Sequence, residues 1–338
     1  MAQKDWNAGI IRPVPVAPAG PYQNGAAPGV WTLDQVAYWL KQGLWPIAGN
    51  IAPIGIFTGG GAVTTYINIA TTGNSATFGN LTQSRRSLSG CGSTTRCLFG
   101  GGSDGSTIYN IIDYATFTTT GNFTDFGDLT QVQAATASFN SSTRGVFGGG
   151  YTNTEVSPTN TAVISYVTIA STGNATSFGS LTVARYAVSG CSSSTRGVFG
   201  GGFSTVRSNV IDYVTIASTG NATYFGDLTL ARMWTGSCSS ATRGLFGGGG
   251  ISGGYSNVID YVTIASTGNA TDFGDLTSQR ERVCGCSSST RGIFGGGNGE
   301  NVIDYVIIAT TGNAVSFGQL ADAGAYPAAA SSSNGGTQ

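Results

Sequence analysis

The chain has no histidine, only two lysines (Lys4 and Lys41) and 9% charged residues. Without imidazole there is no Ser-His-Asp or Cys-His nucleophile, no His-based acid–base pair, and no His-ligated zinc or copper. A formal net charge of −1 argues against a nucleic-acid groove. No apolar run reaches the ~18–20 residues that a spanning helix needs, so no membrane span is expected. The first residues, Met1 to Asn7, lack the apolar core of a signal peptide, which points to folding in a cytoplasm. No C-x-x-C pair occurs among the 6 cysteines. Cys91, Cys191, Cys238 and Cys286 share one repeat position that Phe139 and Ala330 fill elsewhere, while Cys97 and Cys284 stand outside it. A position that takes Cys, Phe or Ala is a buried apolar one, so free thiols are expected and no metal or cofactor. The D-F-G-D carboxylates, Asp125/Asp128 and Asp272/Asp275, follow the repeat and read as solvated hairpin ends, not as a glycosidase pair. The triple glycines lack the Lys-Ser/Thr of a phosphate loop. No enzyme is expected.

What the chain has in abundance is glycine, 54 residues, in a repeated pattern. An apolar–Phe–Gly-Gly opening falls at Phe99, Phe147, Phe199, Phe246 and Phe294, with Phe57 heading a looser copy. A period of roughly 40–50 residues means a solenoid, an array or a propeller. Tyrosine recurs at Tyr66, Tyr114, Tyr166, Tyr213, Tyr261 and Tyr305, and each is followed by a Gly-Asn pair, a Phe and a Leu. These columns read as inter-blade core and turn geometry. Each copy reads as four short strands: an apolar run ending in glycines, an alternating run such as Val210 to Ile216, then Ala222 to Leu228, then the small-residue run Thr235 to Thr242. Thr219-Gly220-Asn221 reads as a tight two-residue hairpin turn. Four antiparallel strands per copy without a helical period is the signature of a propeller blade.

The first copy lacks a small-residue strand before it, and the last copy ends with one to spare. Laid on Leu181 to Gly197, the C-terminal stretch places Leu320 on Leu181 and Ser331 on Ser192. The C-terminus should therefore supply the inner strand of the first of six blades and protect both open edges.

Gly200-Gly201, Tyr213, Phe225 and Arg232 together resemble the kelch repeat. Phe stands here where kelch repeats usually carry Trp, and Gln133 and Gly324 replace the Arg in two copies. The resemblance covers residues 51–338 and implies an all-β, six-bladed kelch-like β-propeller. Such propellers serve enzymes, adaptors and adhesins alike; copper oxidases among them need histidine ligands.

Residues 1–50 differ in kind. Pro13 to Pro18 favour an extended arm. Thr32 can cap a short helix from Leu33, with Leu33, Val36, Ala37, Leu40 and Leu44 on one stripe and Gly43 and Pro46 ending it. Trp6, Trp31, Trp39 and Trp45 lie here, so Trp6, Trp31, Leu33, Trp39, Leu40 and Trp45 are the candidate attachment residues. Folding back onto the propeller rim is the other use for this segment. Gly29 to Pro46 and the T-R-G-V-F-G-G-G and N-V-I-D-Y-V-T-I-A-S-T-G-N texts resemble segments of virion structural proteins of tailed bacteriophages. That resemblance implies a virion protein assembled in the host cytoplasm in multiple copies. It would be attached to capsid, neck or tail proteins through residues 1–50 and would display the propeller as a decoration or fibre component. A cellular kelch-like interaction module is the alternative.

The distance from each Tyr to the next Phe-Gly-Gly is constant, so all length variation lies between the glycines and the following Tyr. Loops that vary on a fixed scaffold are where binding usually resides. Tyr109, Tyr151, Phe203, Arg207 and Tyr255 in these loops are the candidate binding residues, suited to a host-surface glycan or protein.

Overall fold

The computed structural model describes residues 34–35, 53–154, 156–322, 324 and 326–332. Asp34 and Gln35 are helical, inside the expected short helix; Trp6, Trp31, Leu33, Trp39, Leu40 and Trp45 lie outside the described residues. From Pro53 to Ser332 the chain forms a six-bladed all-β propeller, each blade a four-stranded antiparallel sheet. In blade 4 the strands run outward as Ser189–Ser192, Arg196–Gly200, Val210–Thr215 and Thr223–Asp227. Neighbouring blades cover both faces of the middle strands, which is why Ile211, Asp212 and Val214 are all buried. The inner strands touch in a closed ring around the axis.

Closure follows the sequence expectation. Ala328–Ser331 pairs antiparallel with Ile54–Thr58, Gly55 opposite Ser331 and Ile56 opposite Ala330. The first blade is thus assembled from both ends of the propeller, and no middle strand is left with an open edge.

Three kinds of contact hold blade to blade. The first is Phe on Gly. A Cβ on Gly200 would lie 2.7 Å from the ring of Phe246 in the next blade, and Gly148 stands in the same relation to Phe199. The Phe-Gly pair of the repeat is therefore a ring and the space for its neighbour's ring.

The second is sulfur on Gly. A Cβ on Gly292 would lie 2.5 Å from Cys238 Sγ, and Gly145 meets Cys91 in the same way. Phe139 fills this role against Gly197. Where the inner-strand residue shrinks to Ala330, the facing glycine has become Cys97, and the two share one core cluster. Each interface keeps its volume. All six cysteines are free and buried, as expected.

The third corrects the reading of Thr219-Gly220-Asn221. The third and fourth strands of each blade are not joined by a two-residue turn; in blade 5 the connection runs from 264 to 270, between Val258–Thr263 and Thr271–Asp275. Its Gly-Asn pair clasps the outer strand of blade 4. Gly268 N donates to Phe225 O (2.9 Å), Ala270 N to Asp227 O (2.8 Å), and Asn269 Oδ1 accepts from Asp227 N (3.1 Å). The clasp needs Gly226 on the outer strand, because a Cβ there would strike the Gly268 carbonyl. The Gly-to-Phe bond recurs at four other interfaces, including Gly73 N to Phe317 O (3.0 Å), and between blades 1 and 2 the clasp is made by Phe123 N to Asn80 O (2.8 Å) and Asn80 N to Asn122 Oδ1 (3.1 Å). A local turn motif thus serves as an inter-blade edge cap.

Inside four of the six blades the Arg before the inner strand is buried. Arg232 Nη2 lies 2.6 Å from Asp260 Oδ2, with both side chains fully buried, and Nη1 donates to Gly248 O (2.8 Å). Thr229 Oγ1 donates to Asp260 Oδ1 (2.6 Å). Burial pulls the Arg232 pKa down, and the Asp260 charge and hydrogen bond oppose it. Arg85–Asp113, Arg185–Asp212 and Arg280–Asp304 repeat the pair. In the two copies that lack the Arg, the Asp is gone as well: Gln133 faces the Ser165 position and Gly324 the Thr65 position. A lone buried charge is the costly outcome, and the paired exchange avoids it.

Asp260→Ala should therefore lower stability by about 3–5 kcal/mol, the usual range for orphaning a buried charge. Arg232→Gln with Asp260→Ser, the natural combination of blade 3, should cost less than either single change. Thermal melting of Asp260→Ala, Arg232→Gln, Asp260→Ser and the double variant decides this; a double variant less stable than both of its singles contradicts the account. The thiols supply a second test. Burial pushes Cys191 and Cys284 up to about 12 from an ordinary 9.0. Their stabilising effect is complete below pH ~9 and is lost as pH climbs toward ~12, because only the unfolded thiols ionise there. An aromatic disulfide reagent at pH 8 should find no reactive thiol in the folded chain and all six after unfolding; a fast-reacting thiol in the native state would refute this.

Candidate recognition face

The two ends of the propeller differ in what the sequence places there. One end carries the clasps and the Ser-Thr-Arg turns. There Arg196 stacks over Tyr213 (4.5 Å to the ring centroid) and donates to Ile264 O of the next blade (2.9 Å). Arg96, Arg144, Arg243 and Arg291 do the same on their own blades. This end repeats one structural device and varies little.

The other end carries the glycine-rich loops and the blade-to-blade links. Gly201 (φ 67°) and Gly202 (φ 104°) turn the chain there, and both pass too close to link carbonyls, of Arg232 and Tyr186, for any side chain. Beyond them the loop base pairs with the link: Arg86 with Ser103, Ala134 with Tyr151, Tyr186 with Phe203, and Met233 with Gly250. The variable loops therefore share a face with the links, as expected.

The five candidate binding residues are spread over four blades and differ in access. Tyr255 is 46% exposed, on a small hairpin of Gly250–Ile251 with Gly254–Tyr255. Arg207 is half-buried, and its Nε donates to Gly250 O (3.2 Å), bridging blade 4 to blade 5. Tyr109 stays within its own loop and donates its hydroxyl to Asp104 Oδ2 (2.7 Å). Hydrogen bonds from Thr107 N, Tyr109 and Ser106 hold the Asp104 carboxyl well below the usual carboxylate range. Phe203 is half-buried beside Tyr186 (centroids 5.4 Å apart). Tyr151 is a correction: at 3% exposure it is core, packed with Ala134 and Ala135 beneath Tyr186, and offers no open ring. The loop that looked most like a binding arm spends its aromatic on its own foundation.

The residues that do converge lie on the links. The position two after the buried Arg is Ser87, Ala135, Ala187, Trp234, Arg282 and Tyr326 in successive blades. Ala135 N donates to Ser87 O (2.7 Å), Ala187 N to Ala135 O (2.9 Å), Trp234 N to Ala187 O (3.0 Å) and Arg282 N to Trp234 O (2.9 Å). These bonds join five of the six positions in an arc around the axis, and Ser87, Ala135, Ala187, Trp234 and Arg282 are held at φ between 55° and 58°. Below it lies a cavity of about 110 Å³, lined in part by Ser89, Thr136, Ser189, Thr235 and Trp234. On one side of the mouth Trp234 meets Tyr326 edge-on (5.9 Å), with Arg282 4.3 Å and Arg86 5.1 Å from the Tyr326 centroid. Sequence reading passed over this cluster. The available signal was the break in that column from Ser and Ala to Trp, Arg and Tyr.

No protein-family model matches the chain, and no curated protein matches it. Among solved structures, that of YjhT is similar, with a TM-score of 0.61 over 72% of this chain and 87% of that chain at 9% identity. The likeness is one of fold: this chain is a six-bladed β-propeller.

Proposed function

We propose that the chain is a non-enzymatic recognition module whose loop-bearing face contacts its target. In the fuller form of this reading it is a tailed-bacteriophage virion structural protein, attached through residues 1–50 to capsid, neck or tail proteins. The observation that carries the recognition reading is the asymmetry between the two ends. One repeats the same clasp and Arg–Tyr stack from blade to blade, while the other combines variable loops with side chains that depart from the repeat. The chemistry agrees with binding: the chain has no histidine, its thiols are buried, and its buried guanidiniums are spent on carboxylates. The virion reading rests on the resemblance of Gly29 to Pro46 and of the repeat text to phage structural segments, and on the tryptophans gathered before the propeller. A cellular interaction module would share the face but not the assembly.

Two experiments test this. Deleting residues 1–50 should leave a folded, soluble propeller that no longer joins its assembly; normal incorporation of the truncated chain would place the anchor elsewhere. Shortening 152–160 to the length of the blade 6 loop, with Tyr151 kept for its packing role, should leave the melting temperature within a few degrees. Binding to the target surface should weaken about tenfold or more, a loss of about 1.4 kcal/mol. Unchanged binding after trimming every long loop would overturn the reading of this face.

A further inference from the structure

We propose that the clasp end of the propeller is a docking face for a carboxylate-rich protein surface, received by a ring of five arginines, Arg96, Arg144, Arg196, Arg243 and Arg291. The proposal rests on the reading that the chain is attached through residues 1–50, and it names the chemistry of the surface that holds it.

Each of the five guanidiniums is fixed on one side and open on the other. The Tyr of the same blade lies beneath it, with the ring centroid at 4.5 to 5.0 Å. Nη1 donates to an Ile carbonyl of the next blade, of Ile169, Ile216, Ile264, Ile308 and Ile69 in turn. Nε and Nη2 have no partner among the described residues, and neither atom is buried. These two atoms form the side-on edge of the guanidinium, whose parallel N–H groups match the two oxygens of a carboxylate. The stack and the Nη1 bond hold that edge in place beforehand, so little side-chain freedom is lost on binding.

The charge at this end is concentrated and unanswered. The chain has a formal net charge of −1, yet five of its 15 cationic residues gather here. The ion pairs among the described residues all belong to other arginines. The outer-strand carboxylates Asp125 and Asp272 sit opposite Asp113 and Asp260, in the middle of their blades, and Asp128, Asp227 and Asp275 end their strands toward the loops. Between the turns of blades 5 and 6, Arg243 lines a groove of about 450 Å³ with Ser240, Thr242, Ser289 and Ala309, and no acidic residue borders it.

The fold does not ask for this charge. Blade 1 closes with Ile54 where the other blades carry the Arg. That gap is where the propeller begins and ends: Ile54 N donates to Ser332 Oγ (2.9 Å) and Ser332 N to Ile54 O (2.9 Å). The attachment segment therefore joins the propeller at the arginine-bearing end, and the loop-bearing end is left for the target. In five blades the Tyr ring lies under the guanidinium and is not open to stack on a base or a sugar. Exposed ion pairs are weak singly, so the ring orients a chain already held by residues 1–50.

The probe is immobilised poly-L-glutamate, with poly-L-lysine as its opposite. The full chain should bind poly-L-glutamate saturably at about 50 mM salt and about tenfold or more weakly at about 300 mM, and should not bind poly-L-lysine. Thr94→Asp, Ser142→Asp, Ser194→Asp and Ser289→Asp together place carboxylates beside four of the arginines, at exposed positions that leave the stacks alone. This variant should lose about tenfold or more in affinity. Gln83→Asp, Val183→Asp, Leu230→Asp and Gln279→Asp add the same charge at exposed positions on the links of the other end, and should change binding by less than about twofold. Melting curves check that both variants fold. Arg196→Gln with Arg291→Gln removes two of the forks and should give a smaller loss in the same direction, which keeps the test open if the four-site variant does not fold. No saturable binding, an equal loss in the two four-site variants, or tighter binding of duplex DNA than of poly-L-glutamate would overturn the proposal. If deleting residues 1–50 abolishes incorporation while the clasp-end variant still binds poly-L-glutamate like the unchanged chain, the attachment reading stands and the docking face falls. If the truncated chain incorporates normally while the clasp-end variant loses poly-L-glutamate, the attachment reading falls and the docking face stands.

Discussion

The propeller depends on the approach of one blade's backbone to the next. At Gly226 the absence of a side chain lets the Gly268 carbonyl sit directly against the outer strand, and three hydrogen bonds then cap an edge that would otherwise be open. The same approach must succeed around the whole ring, including between blade 6 and blade 1, where Gly318 meets Gly73. A four-stranded sheet with both faces apolar is insoluble alone and stable only when stacked. The closure strand Ala328–Ser331 turns a row of such sheets into a finite object.

The interfaces tolerate change only in matched pairs. Gln133 appears with Ser165, Gly324 with Thr65, and Cys97 with Ala330. Each exchange keeps a sum constant, of charge in the first two and of volume in the third. This constraint acts on the middle of the blades and on the clasp end, but not on the loops that leave after the third glycine. The scaffold and the loop-bearing face can therefore change independently.

Much of the fold was legible because each column speaks six times. Phe225, Leu228 and Tyr213 could be assigned to the core from their recurrence, and the closure strand from the misfit of the two ends. The clasp was misread because Gly-Asn is a local turn signal, and nothing in Thr219-Gly220-Asn221 names the strand of the neighbouring blade that it caps. Tyr151 was misread because a loop residue's burial is decided by Ala134 and Tyr186, which are distant in sequence. The Trp234–Arg282–Tyr326 cluster was missed for a related reason. Its members lie in three different links, and only the ring brings them to one mouth. Trp234, the one tryptophan beyond residue 50, was the residue that could have raised the question.

Hydrogen exchange mapped along the whole chain, with and without the target surface, tests most directly the claim that one end is scaffold and the other is for recognition. The account predicts slowed exchange at the links around Trp234, Arg282 and Tyr326 and in the adjoining loops, with the Ser-Thr-Arg turns unchanged. Protection centred on those turns and on the Gly-Asn clasps would contradict it.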